Sequence, residues 1–170
     1  MDLSQKQTNA LHDQIKHNFH LAWFNVLREK TLQNPPDFEW IVNLYKELRS
    51  RLTCFLKKDS NIRKQVEDDL DVELFDQMIR NGAFQGPEFL ALVNYIFKTC
   101  TRFGSPGRDK DVQQLKQEVI NALNNKAIFA DLVPLFFKNS NIAIDWIHKD
   151  LQEVRQNLQK SQSLNQTQSS

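Results

Sequence analysis

Apolar residues recur every three or four positions along each long segment of this chain. Between residues 38 and 56, Phe38, Ile41, Val42, Tyr45, Leu48, Leu52, Phe55 and Leu56 keep that spacing without a break. A helix gathers such residues on one face, whereas a strand needs alternation. The chain also holds only four Gly and five Pro in 170 residues, sparse for an all-β domain that needs many turns. The expectation is therefore an all-α fold.

The first helix is expected over 8–33. Leu11, Ile15, Phe19, Ala22 and Val26 form its stripe, with Trp23 and Leu27 beside it. Asn34 is expected to cap the second helix, because Pro35 lacks an N–H and its φ suits a first turn. Asp37 and Glu39 stand where the dipole favours acids. Asp59 or Ser60 caps a third helix that turns Ile62, Val66, Leu70, Leu74, Phe75, Met78 and Ile79 inward. Asn81-Gly82 supplies its left-handed end. A helix over 87–103 is apolar nearly all round, which predicts a central position. Ser105 caps the next, with Val112, Leu115, Val119, Ala122 and Leu123 as its stripe. Pro134 should kink or end the following segment. Ser140 or Asn141 then caps a last helix carrying Ile144, Ile147, Leu151, Val154 and Leu158. The polar stretch 159–170 has nothing to bury and is expected to be a disordered tail. Residues 1–158 thus read as one domain, an irregular bundle of six or seven helices around the central apolar one.

Composition narrows the function. Apolar residues make up 40% of the chain, enough to bury a core, and the net charge of +1 gives no global pull towards nucleic acid or membrane. No apolar run reaches the roughly 18 residues of a membrane span. The polar start, MDLSQKQTNALHDQ, shows no signal-peptide pattern, so none is expected. Cys54 and Cys100 lie on apolar helix patterns and read as reduced core thiols of a cytoplasmic protein.

Few residues suggest chemistry. His12, His17 and His20 raise a metal site, but no further ligand cluster joins them, and Asp13 pairs with His17 at helical spacing. The acidic run Glu67, Asp68, Asp69, Asp71 and Glu73 lacks the glycine of a calcium loop and reads as a solvated face or a break between helix halves. The basic set Arg49, Arg51, Lys57, Lys58, Arg63 and Lys64 has no interleaved aromatics for nucleic acid, and Arg63 is spaced to pair with Glu67. No nucleophile elbow, phosphate loop or cofactor turn occurs. Catalytic, metal and cofactor sites are therefore all expected to be none. Arg108 stands at a helix start that disfavours a cation, so a two-bond fork to a carboxylate on a neighbouring helix is expected.

The order of these pieces resembles the T-complex protein 11 family. There an acidic helix start, matched here by DLDVELF (69–75), precedes a Gly-containing end, matched by NGAF (81–84). An apolar helix and a Pro-x-Arg-Asp turn follow, and Pro106, Arg108 and Asp109 stand at those places, with Lys110 where the family has an acid. Upstream, Leu27, Arg28, Glu29, Pro35, Pro36, Asp37 and Phe38 fit the family's opening, while Trp23 and Phe24 invert its aromatic order. The likeness covers 17–125 and implies the N-terminal part of the family's helical domain, or a shortened relative. It implies a non-enzymatic regulatory or adaptor protein linked to cyclic-AMP and protein kinase A signalling, with a protein partner. The alternative is a microbial or viral relative that engages a host factor after delivery into the host cell. Helices facing the family's remaining part would expose Trp23, Phe24, Phe136, Phe137 and Trp146 as an interface, and a two-fold homodimer is the commonest closed assembly.

Overall fold

Seven α-helices and one 3-10 turn make up residues 3–168, those the computed structural model describes, and no strand occurs among them. They are α1 (Leu3–Leu32), α2 (Phe38–Thr53), α3 (Asn61–Asp69), α4 (Val72–Arg80), α5 (Gly86–Phe103), the 3-10 turn Pro106–Arg108, α6 (Asp109–Asn124) and α7 (Phe129–Gln168). The fold is all-α, as the periodicity requires. Among the described residues no helix is long and apolar enough to cross a membrane.

Local chemistry sets the helix ends. Ser60 accepts from the Arg63 N–H and starts α3. Gln85 and Glu88 form a reciprocal capping box at α5, with Pro87 in the first turn. Gly82, at φ +67°, ends α4 while the Ala83 N–H reaches the Met78 carbonyl at 2.8 Å. α6 ends the same way with Lys126 at φ 59°, the Ala127 N–H reaching the Ala122 carbonyl at 3.0 Å.

Three boundaries differ from expectation. α2 begins at Phe38, capped by Asp37 rather than Asn34, because a residue before proline is pushed out of the helical region and Pro35 precedes Pro36. The expected third helix is two, α3 and α4. Asp71 accepts from the Leu74 N–H at 3.0 Å and starts a new helix, while Leu70 stays buried at the bend. Pro134 neither ends nor replaces a helix: α7 passes through it. A proline so placed costs about 3 kcal/mol. Val133, Phe136 and Phe137 are buried beside it, and a buried side chain of that size contributes about 1.5–3 kcal/mol. Ser140 and Asn141 are accordingly mid-helix residues, not caps. The polar stretch from Gln159, expected to be disordered, continues α7 as far as Gln168, and its side chains through Thr167 are exposed and add nothing to the core.

The core lies along the first half of α7, against which α1, α2, α5 and α6 all pack. Leu132, Val133, Phe136, Phe137, Ala143, Ile144 and Ile147 are buried there. α5 buries Phe89, Val93, Ile96, Phe97 and Cys100 and leaves Leu90, Asn94, Lys98 and Arg102 exposed. A chain of ring contacts runs from Tyr45 through Phe75, Phe84 and Phe89 to Phe136 and Phe137, joining the α4 side of the bundle to α7. Asn139, buried in α7, donates to the Leu115 carbonyl and the Glu118 carboxylate, both at 2.9 Å, and so fixes α6.

Candidate functional site

The turn before α6 carries an arginine held by several partners. Ser105 and Pro106 start the 3-10 turn, and the Arg108 N–H bonds the Ser105 carbonyl at 2.9 Å. Asp109 opens α6, its acid at the favourable dipole end. Arg108 then reaches α7: Nε donates to Asp150 Oδ2 at 3.2 Å and Nη2 to Oδ1 at 3.1 Å. This is the two-bond fork expected of it. Its guanidinium also lies over the Trp146 ring, 5.3 Å from the centroid. The bond to Asp150 raises its pKa and holds it charged. Gly104 is needed nearby, since a Cβ there would stand 2.8 Å from the Cys100 carbonyl oxygen. The cavity between these residues holds about 10 Å³, room for one water at most. The junction fixes helices and has no space for a ligand.

Pro35, Pro36 and Asp37 form a second fixed corner. The Asp37 N–H bonds the Lys30 carbonyl at 2.9 Å, and its carboxylate caps Trp40 and meets Lys30 Nζ at 3.4 Å. Lys30 in turn lies over the Trp40 ring. Both motif segments therefore hold the helices that flank them.

The expected aromatic interface is not assembled. Phe136 and Phe137 are 1% and 3% exposed and belong to the core, because the unbroken α7 carries both rings inward. Trp146 is half-buried beneath Arg108. Trp23 and Phe24 are half-buried on α1. What α1 exposes instead is an apolar set that lies mostly before Trp23: Leu11, Ile15, Phe19 and Leu21, with Val26 after it. The stripe was legible in the sequence; its exposure was not.

The remaining candidate groups are paired or dispersed. Arg49 donates to the Glu67 carbonyl, Arg63 meets Glu67 at 3.0 Å, and Arg51 bonds Asn141 and Asp145 on α7. Arg28 ties α1 to Asp131 on α7 at 2.7 Å. Cys100 is buried, and burial pushes its thiol up to about 12. Cys54, read as a core thiol, is exposed at the end of α2, with His148 Nε2 3.8 Å from its sulfur. The helix closes one turn earlier than the stripe suggested, and Cys54, its C-cap, lies off the buried face. Among the described residues no group of three His, Cys, Asp or Glu is placed to hold a metal. The His20 side chain lies outside the described ones.

Sequence comparison covers both proline-bearing corners. The profile of the T-complex protein 11 family matches residues 2–162, well past the stretch its motifs cover. The T-complex protein 11 homolog of Homo sapiens is 27% identical over 146 residues, which are 85% of this chain and 28% of that protein. The human T-complex protein 11-like X-linked protein 1 is 30% identical over 109 residues, 64% of this chain and 21% of that protein. The Mus musculus T-complex protein 11 is 24% identical over 156 residues, 91% and 27%. The chain thus spans about a quarter of the length of these relatives. No solved structure matches it. With the profile matched from α1 into α7 and both motif corners in place, the chain belongs to the T-complex protein 11 family.

Proposed function

We propose that this chain is a non-enzymatic, cytoplasmic protein that regulates or bridges other proteins by contact, within cyclic-AMP and protein kinase A signalling. The apolar row on α1 carries this reading. Leu11, Ile15, Phe19 and Val26 are 58%, 60%, 70% and 41% exposed and share one helix face. Anchors at such spacing are how a helix enters a partner's groove. Soluble proteins keep contiguous exposed apolar patches small unless something binds there. Trp23, one turn on from Phe19, is half-buried where the row reaches the bundle. The kinase link is supported by the family likeness.

The test uses the purified chain and an Ile15→Lys/Phe19→Lys variant against immobilised regulatory and catalytic subunits of protein kinase A. Binding to either subunit is expected, lost in the variant while its Tm stays unchanged. Binding to neither subunit refutes the kinase link. Binding that survives both changes moves the surface off α1.

The same row supports a second reading, self-association as a two-fold homodimer. Light scattering from micromolar to submillimolar concentration separates the two readings. A constant monomer mass removes the dimer.

A further inference from the structure

A groove of about 340 Å³ opens between α4 and α5, away from α1. Its lining is largely apolar: Leu70, Phe75, Met78, Phe84 and Leu92, with Leu74 53% exposed at the lip. Ligand pockets run from about 300 to 1,000 Å³. A groove at the small end of that range, open to solvent, suits one or two side chains rather than a whole cofactor.

The rim has one sign of charge. Asp69, Asp71 and Glu88 line it, and no Lys, Arg or His does. Each carboxylate is held by one bond. Asp69 Oδ2 accepts from the Tyr95 hydroxyl at 2.9 Å, Asp71 Oδ1 from the Leu74 N–H at 3.0 Å, and Glu88 Oε2 from the Gln85 N–H at 3.0 Å. The second oxygen of each takes no hydrogen bond among the described residues. Asp71 and Glu88 sit at helix starts, where the dipole offsets part of their charge. Asp69 ends α3, where it does not, and Asp68 and Glu73 add to the field as exposed neighbours. Three arginines of the surrounding helices are otherwise engaged: Arg49 with the Glu67 carbonyl, Arg80 with Asp76, Arg102 over the Phe103 ring. Tyr45, stacked on Phe75 with centroids 4.1 Å apart, has its hydroxyl pushed up to about 12 by burial and stays neutral.

We propose that this groove docks a short cationic amphipathic segment of a partner protein. A leucine or phenylalanine of the segment enters between Leu74, Phe84 and Leu92, and its lysines or arginines meet the free oxygens of Asp69, Asp71 and Glu88. The acidic rim repels phosphate backbones and anionic membrane surfaces, so neither is the ligand. This site is separate from the α1 row and stands independently of it.

Fluorescence anisotropy on the full chain tests the proposal with three labelled twelve-residue probes: leucine/lysine at helical period, leucine/glutamate, and serine/lysine. In Asp69→Asn/Asp71→Asn/Glu88→Gln one oxygen of each group remains for its existing bond, because Asn caps as Asp does and Gln completes the box. The charge and the free oxygen of each go together. Ala91 is exposed and lines the groove, so Ala91→Phe fills it from the solvent side. The leucine/lysine probe should bind best. The charge-neutral variant should weaken it about eightfold at low salt, three factors of about two from three exposed pairs. That difference should shrink as salt rises. Ala91→Phe should weaken it about tenfold, with wild-type Tm. The proposal is overturned if the leucine/lysine probe does not bind, if either control probe binds as tightly, or if both variants stay within twofold of wild type.

Discussion

Phe97→Ala is the sharpest test of the packing order. The Phe97 ring is 0% exposed on α5, which packs against both α6 and α7. Truncating a buried Phe costs about 3–5 kcal/mol, the transfer term plus the cavity left behind. Helices on both sides limit collapse of that cavity, so about 4 kcal/mol is expected. With a urea slope of about 2 kcal/mol/M, the midpoint should fall by about 2 M. Leu90→Ala on the same helix provides the control. Leu90 is 37% exposed, and its loss should cost below about 1 kcal/mol. Full urea titrations of both variants, followed by far-UV circular dichroism, give the two values with a shared slope. A Phe97→Ala loss below about 1 kcal/mol, or equal losses at the two positions, would refute the burial of this face.

Arg108→Ala should lower Tm clearly and Arg108→Lys less so, since lysine keeps the charge but not the two-bond fork to Asp150; an alanine variant that melts like wild type makes the fork incidental. Stability should fall from about pH 9 to pH 12. The Cys100 thiol and Tyr45 hydroxyl are both pushed up to about 12 by burial, so the unfolded chain sheds protons that the native one keeps, and the contribution present below their ordinary values of 9 and 10 is lost as pH rises. Urea midpoints across that range check it, and Tyr45→Phe with Cys100→Ala should flatten the slope. Gly82→Ala should cost about 1 kcal/mol or more at its positive φ, while Lys126→Gly should stabilise by up to about 1 kcal/mol, because only the second relieves a left-handed residue that has a Cβ; opposite signs in thermal melts are the check.

Helix content was legible because a 3.6-residue period survives any tertiary arrangement. The Ser60 cap and the Gly82 stop were legible because each acts within four residues of itself. Three boundaries were misplaced where two local rules competed. At 34–37, Pro35 suits a first turn but precedes another proline, and the second restriction wins. At Asp71 the apolar stripe runs on through a capping side chain, and of the two readings of the acidic run, a solvated face or a break between helix halves, the break is the one that sets the boundary. At Pro134 a local breaker lost to burial on both sides, which no local rule weighs. Arg108 shows the same limit from the other direction. A cation at an unfavourable helix end signals a carboxylate partner, yet nothing local says that the partner is Asp150, 42 positions away.

Periodicity names the face of a helix without saying whether anything covers it. The stripe Leu11, Ile15, Phe19 and Val26 follows the same helical period as the stripe Ile41, Tyr45, Leu48 and Leu52, but the first is exposed and the second buried. α7 shows both outcomes on one stripe. Ile144 and Ile147 are buried, while Val154 and Leu158, further along the same face, are 55% and 59% exposed. The pattern continues where the bundle does not. Exposed stripes cost solubility and gain nothing for the fold, so the residues that keep them apolar are the ones to assign to contact with something else. The groove between α4 and α5 makes the complementary point. Its acids read as a solvated face or a break between helix halves, and the break comes at Leu70, but the bond from Tyr95 to Asp69, 26 positions away, exists only in three dimensions. In this chain the sequence marks the framework, while the exposure of the α1 stripe and the acid-rimmed groove are both set by tertiary packing.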